Sequence, residues 1–376
     1  MEPQGIYFMG CLRIVKIFAL VLGLSTLGFS QDEIEDENSG TYTAKYTNFN
    51  VSSVPAFVLL DVTANKVQQA GYSRSIKIDW TLKNYKNTPN VGLELQPLWL
   101  LLYNRGDLKK YRNATDFERT LSTLSVSIGT YNQDFWRQIA WALKINLYQE
   151  VDPLLNPSLD EVLGDFQSEK KQYMAIIEDL KIKIKNEKSE AAVKSLKKKM
   201  YLYKDSLFNS EEKQIELNKI YKQEFQKDHW NVPSVDFGIG RLKIYDVQNV
   251  PDSSKPIIRG FGMWLSGSKG IGYRCLLSGI MRFQSYSDNR VKFLMGSSLR
   301  YGNPRYNLYA EYSYDFANNY YFESERIVEK STLGIGGDFK INSIIQLNLG
   351  LNINLDQRFN FVSLLPAANI ICLMNL

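Results

Sequence analysis

The sequence predicts a closed antiparallel transmembrane β-barrel of about 12 strands, mostly β, that carries an α-helical, coiled-coil-like insertion. Three observations predict it. Apolar residues recur at every second position over most of the chain. The runs that hold this alternation reach about 11 residues, roughly twice a soluble strand. An export signal precedes a chain in which no apolar run is long enough for a spanning helix.

Composition removes several function classes. The 376 residues carry 45 Lys and Arg against 40 Asp and Glu, a net charge of only +5. That balance gives no general grip on nucleic acid, and no basic run alternates with aromatics. One histidine, His229, and three cysteines, Cys11, Cys275 and Cys372, leave no zinc module or disulfide framework. No phosphate loop, EF-hand or other metal motif is present, so no cofactor is expected. The aromatic load is high, with 23 Tyr, 19 Phe and 6 Trp.

Residues 1–30 read as a signal peptide. Arg13 and Lys16 precede the apolar run from Ile17 to Phe29, and Gly28 and Ser30 stand at −3 and −1 of a cleavage site before Gln31. Residues 31–54 begin QDEIEDEN and read as an acidic, disordered leader. Residues 55–72, apolar and then polar, read as a small plug or as a plain lead-in.

The barrel is expected in two parts, residues 73–156 and 229–376. Ile76, Ile78, Trp80 and Leu82 alternate with Lys77, Asp79, Thr81 and Lys83. Alternation continues through Val91 to Tyr103, then 124–128 and 139–147. It resumes at Val235-Phe237-Ile239 and runs on through 257–266, 271–283, 291–295, 306–314, 327–339 and 345–355. A twelfth candidate, 359–372, is interrupted by Pro366. Residues 87–90, 267–270, 287–289, 302–304 and 342–343 are expected to be turns.

The polar parity of these strands supplies the expected lumen lining: Lys77, Asp79, Lys83, Glu94, Lys144, Lys292, Arg300, Glu311 and Asp338, interspersed with Gly and Ala. The apolar parity is expected to meet lipid. Tyr85, Trp99, Tyr103, Tyr148, Tyr301, Tyr306 and Tyr314 lie near strand ends, where an aromatic girdle would stand.

Residues 157–228 follow other rules. Of these 72 residues 29 are charged, against 56 of the remaining 304. Ser158 and Glu161 form a capping box, and Asn209 with Glu212 a weaker one. Tyr173, Ile176 and Leu180, and then Val193, Leu196, Met200, Tyr203 and Leu207, recur at helical spacing. The expectation is a helical hairpin bending near 187–190, plus a third helix at 210–228. Strand parity places it on the periplasmic side.

The signal ending Phe29-Ser30-Gln31, the lead-in Pro55 to Leu60 and the alternating strands resemble the outer-membrane β-barrel proteins of Gram-negative bacteria over residues 55–156 and 230–376. The chain departs from that pattern by ending Met374-Asn375-Leu376, with no aromatic after Phe361. The resemblance implies an outer-membrane location, contact with outer-membrane lipid and a porin-like channel or small-solute transporter. Two other readings stand beside it. One is a membrane-anchored scaffold whose residues 157–228 contact a protein partner; the other is a soluble exported β protein. A hydrolase using His229 would need a serine and an orienting group that the sequence does not identify, so catalysis is not expected.

Overall fold

Twelve strands hydrogen-bond in sequence order and the last closes on the first. The computed structural model describes residues 51–83, 90–103, 108–133, 136–155, 157–246, 256–318, 330–342 and 344–374. The expected signal peptide, most of the acidic leader and Tyr85 lie outside the described residues.

The strands are β1 (Ile76–Lys83), β2 (Asn90–Leu95), β3 (Ser125–Gln133), β4 (Trp136–Gln149), β5 (Ser234–Asp246) and β6 (Ile258–Gly270). They continue as β7 (Cys275–Tyr286), β8 (Val291–Gly302), β9 (Tyr306–Asn318), β10 (Lys330–Lys340), β11 (Ile345–Leu355) and β12 (Phe361–Met374). Every pairing is antiparallel. Pro366 sits one residue beyond the last β1 partner, Ala367 opposite Lys83. Among the described residues β12 has only β11 beside it there, so the missing N–H costs no described ladder bond on the β1 side.

The alternation is oriented with its apolar side outward. On β6, Phe261, Met263 and Leu265 are exposed while Trp264 and Ser266 between and beyond them are buried. On β1 the buried residues are Lys77, Asp79 and Thr81, the polar set. A water-soluble barrel needs the reverse, so the soluble reading fails: charged groups fill the inside and Leu, Ile, Phe and Met cover the outside.

Two expected strand features are corrected. The run Val91 to Tyr103 is a strand only to Leu95, after which α2 (Pro97–Leu102) begins. Proline fixes φ and has no N–H to give a ladder, yet both properties suit the first turn of a helix. The Gly267–Gly270 segment is the end of β6 and not a turn, because Gly267 to Gly270 still pair with β7. The reversal falls at 271–274.

Two further short helices, α3 (Leu108–Arg112) and α4 (Asp116–Ser122), complete the β2–β3 connection. Thr115 caps α4: its hydroxyl accepts from the Glu118 N–H, and Glu118 accepts from the Thr115 N–H at 2.8 Å. These bonds hold the Glu118 carboxyl below its usual range.

The β4–β5 connection is a second compact unit, Val151–His229. It is a hairpin of α5 (Pro157–Asn186) and α6 (Glu190–His229). Tyr173 and Tyr203 lie 6.4 Å apart between ring centroids, and Ser210 Oγ is 2.8 Å from Glu169, which fixes the antiparallel register. Ile177 and Leu180 are buried in the seam. The expected third helix at 210–228 is instead the continuation of α6. Asn209 and Glu212 sit mid-helix, since no Gly or Pro interrupts 165–232.

Candidate functional site

The interior of the barrel is occupied by the chain itself. Residues 53–75 are buried at almost every position, and within them lies α1 (Pro55–Leu60). Pro55 supplies the first helical φ, and the Phe57 N–H donates to the Val54 carbonyl at 2.9 Å. Asp61 ends the helix in the left-handed region, at φ 56°. Asp tolerates that conformation better than most residues, and here the turn aims its carboxylate at the wall.

The wall is shaped to admit α1. Gly92 and Gly129 leave room for Phe57: a Cβ at either would fall within about 3 Å of its ring. Gly262 does the same for Leu59, and Ala140 and Ala142 line the strand between. Val54 to Leu60 pack with Leu242, Trp264, Ile280 and Leu294 into one apolar core inside the lumen. Burying Phe57 and Leu59 contributes about 1.5–3 kcal/mol each.

Beyond Asp61 the segment turns polar and so does the wall it crosses. Asp61 pairs with Arg282 at 3.1 Å and with Lys292 at 3.2 Å. Arg282 also donates to the Val58 carbonyl. Lys66 meets Asp315 at 2.8 Å, and the consecutive N–H groups of Lys66 and Val67 donate to the two oxygens of Glu311 at 2.8 and 3.0 Å. The Gly71 N–H donates to Asp236 at 2.8 Å, while Lys144 donates to the Gly71 carbonyl at 2.7 Å. At the far end of the segment Arg74 lies over Trp99, 3.9 Å from the ring, and donates to the Tyr111 hydroxyl at 2.8 Å. That stack fastens residues 72–75 to the β2–β3 connection.

Most of the remaining wall charges pair with one another. Glu94 is held between Lys77 and Lys144, the latter at 4.0 Å, and Lys144 also reaches Asp236 at 3.5 Å. Arg300 pairs with Asp338, and Lys292 lies 3.5 Å from Asp315. Asn369 bridges Asp79, at 3.1 Å, to the Ala64 N–H, at 2.8 Å. Beside Val51 and Gln69 a gap of about 10 Å³ lies against Asp338 and Lys340, room for about one water.

The structure places Lys77, Asp79, Glu94, Lys144, Lys292, Arg300, Glu311 and Asp338 on the inner face; Lys83 closes β1, and its side chain lies outside the described residues. Sequence reasoning missed Asp236, Arg282, Asp315 and Asn369, which share the same inward parity on β5, β7, β9 and β12. It also missed Asp61, Lys66 and Arg74, which no periodicity marks.

The expected girdle is corrected at two positions. Trp99 and Tyr103 are 2 % and 3 % exposed and stack on each other, 5.4 Å between centroids, because α2 turns them inward. Tyr148, Tyr301 and Tyr306 stand exposed at strand ends, and Tyr314 is half-buried within β9. His229 is the last residue of α6, in the helical unit, whereas the charged clusters belong to the barrel. Cys275 and Cys372 are free thiols. Among the described residues no group of three or more His, Cys, Asp or Glu could hold a metal.

No family model matches the chain, and no curated protein matches it. Solved outer-membrane barrels are similar in fold at low identity. A KdgM porin in complex with disordered oligogalacturonate is 8% identical at a TM-score of 0.36, covering 80% of this chain and 99% of that one. A NanC porin is 6% identical at 0.35, covering 80% and 100%. Omp33 of Acinetobacter baumannii is 7% identical at 0.33, covering 81% and 100%. Likeness at this level bears on neither solute nor mechanism.

Proposed function

We propose that this chain is a porin-like outer-membrane channel or small-solute transporter, closed at rest by its own residues 51–75. The observation that carries the reading is the inversion of the barrel. Its outside is apolar, and its inside holds charged side chains on eight of the twelve strands, with Ser or Asn on the other four. Charges so placed are costly unless they line a path or hold something in it. A 12-strand barrel lies between the small ones that side chains fill and the 16–18-strand water channels. Here the added filling is a separable stretch of chain.

Planar-bilayer recording tests this. The full-length protein is expected to be nearly silent, and a variant lacking residues 51–72 to show stepwise openings at least about tenfold more frequent, a shift of about 1.4 kcal/mol in the closed-to-open balance. A variant that folds, as judged by heat-modifiable migration, and yet stays silent would remove the channel reading.

A second reading, the helical hairpin as a partner-binding module, is favoured by one observation. Tyr201, Leu202 and Phe208 on α6, and Met174 and Ile182 on α5, are more than half exposed on an otherwise charged surface. Replacing residues 157–228 by a short turn is expected to leave bilayer conductance unchanged and to abolish co-purification of any envelope partner. Loss of barrel assembly in that variant would contradict the independence of the two units.

A further inference from the structure

The lumen holds its occupant chiefly by the peptide main chain. At least seven N–H groups of residues 51–71 donate to side chains of the wall, among them Asp79, Ser127, Asp236, Glu311 and Asn369. At least seven carbonyls of the same segment accept from wall side chains, including Lys77, Lys144, Arg282, Gln284 and Asn352. The segment itself is mostly small or aliphatic, and only Asp61 and Lys66 among residues 51–72 are charged.

Such a wall is a receptor for amide groups. Wall donors seek carbonyls and wall acceptors seek N–H groups, spread around the barrel from β1 to β12. Glu311 takes two consecutive N–H groups on its two oxygens, a bidentate fit to a turn of main chain. Every peptide presents those groups whatever its sequence, whereas a sugar offers hydroxyls and a simple ion offers neither. We infer, resting on the channel reading above, that the solute class of this barrel is the oligopeptide, and that residues 51–75 occupy the lumen as a tethered mimic of it. A passing peptide with small side chains competes for the same wall groups and exchanges with the segment.

The test uses the full chain. Gly129→Leu crowds Phe57 and is expected to yield a conducting form; Gly92→Leu crowds the same ring from β2 and serves if the first fails to assemble. Three probes are added in planar bilayers: the peptide of residues 51–72, a peptide of equal length made of Gly, Ala and Ser, and a linear neutral oligosaccharide. Block by the Gly/Ala/Ser peptide is expected at a concentration within about tenfold of that for the native sequence, with no block by the oligosaccharide. In the Gly129→Leu background, Glu311→Gln is expected to weaken both peptide blocks by about tenfold or more, since hydrogen bonds to a charged acceptor are the stronger ones. In the wild-type chain, excess Gly/Ala/Ser peptide is expected to speed hydrogen exchange at the Lys66 and Val67 amides. A lumen blocked by its own sequence alone, or by the oligosaccharide, overturns the peptide assignment, as does unaltered exchange at those two amides. Silence of both folded leucine variants, with the segment demonstrably released, overturns the channel reading instead.

Discussion

Gly129→Leu is expected to unseat residues 55–60 while leaving the barrel closed. A Cβ at Gly129 would stand 2.9 Å from Phe57 Cδ1 and 3.2 Å from Ala56 Cβ, so the nearest atoms it meets all belong to the inner segment and none to the wall. Overpacking of this kind costs about 1–3 kcal/mol, which raises the population of the displaced segment about 5–150-fold. Limited proteolysis within residues 55–72 and the frequency of bilayer openings should rise together. Gly279, whose added Cβ would meet only a backbone oxygen at 3.7 Å, supplies the control, and Gly279→Leu should change neither readout. Unaltered proteolysis in Gly129→Leu would show that the segment is not seated against β3.

The second large effect concerns the wall. Glu94 lies between Lys77 and Lys144, with all three side chains at most 5 % exposed. Glu94→Ala strands two buried ammonium groups, of which Lys144 keeps Asp236 and Lys77 keeps the Ser52 carbonyl at 2.7 Å. Removing one partner of a buried pair typically costs 3–5 kcal/mol, and we expect about that loss in urea unfolding from detergent micelles. Because the cost comes from uncompensated charge, the double variant Lys77→Met with Glu94→Leu should recover much of it. A double variant no more stable than Glu94→Ala would mean that the loss comes from packing.

Much of this barrel is legible in its letters, because the period of two is a local property of each strand. Ile345 to Leu355 alternates without a break and forms β11 over the same residues. The charged inner residues follow from the same parity. The inner segment is harder to read. Residues 55–60 are a single apolar turn, which a lead-in, a strand or a plug would equally show. What seats them inside the barrel is the set of small residues opposite, Gly92, Gly129, Ala140, Ala142 and Gly262, and these come from four strands distant in sequence. Their signal was present as Gly and Ala at positions where other strands carry charge, but its meaning depends on the register that brings them together. Trp99 misled for a related reason. Its neighbours alternate like a strand, while Pro97 converts the run into a helix that turns the ring toward Arg74.

Channel, inner segment and anchor all depend on the apolar parity touching lipid. Trp141 on β4 is 44 % exposed on that parity, whereas Trp264 on β6 is 3 % exposed and packs inside with Leu59 and Val58. Single-tryptophan variants keeping one or the other, reconstituted in bilayers with brominated acyl chains, separate the two faces directly. Strong quenching of Trp141 with Trp264 spared is the expected result. Quenching of Trp264 with Trp141 spared would contradict it and turn the barrel inside out.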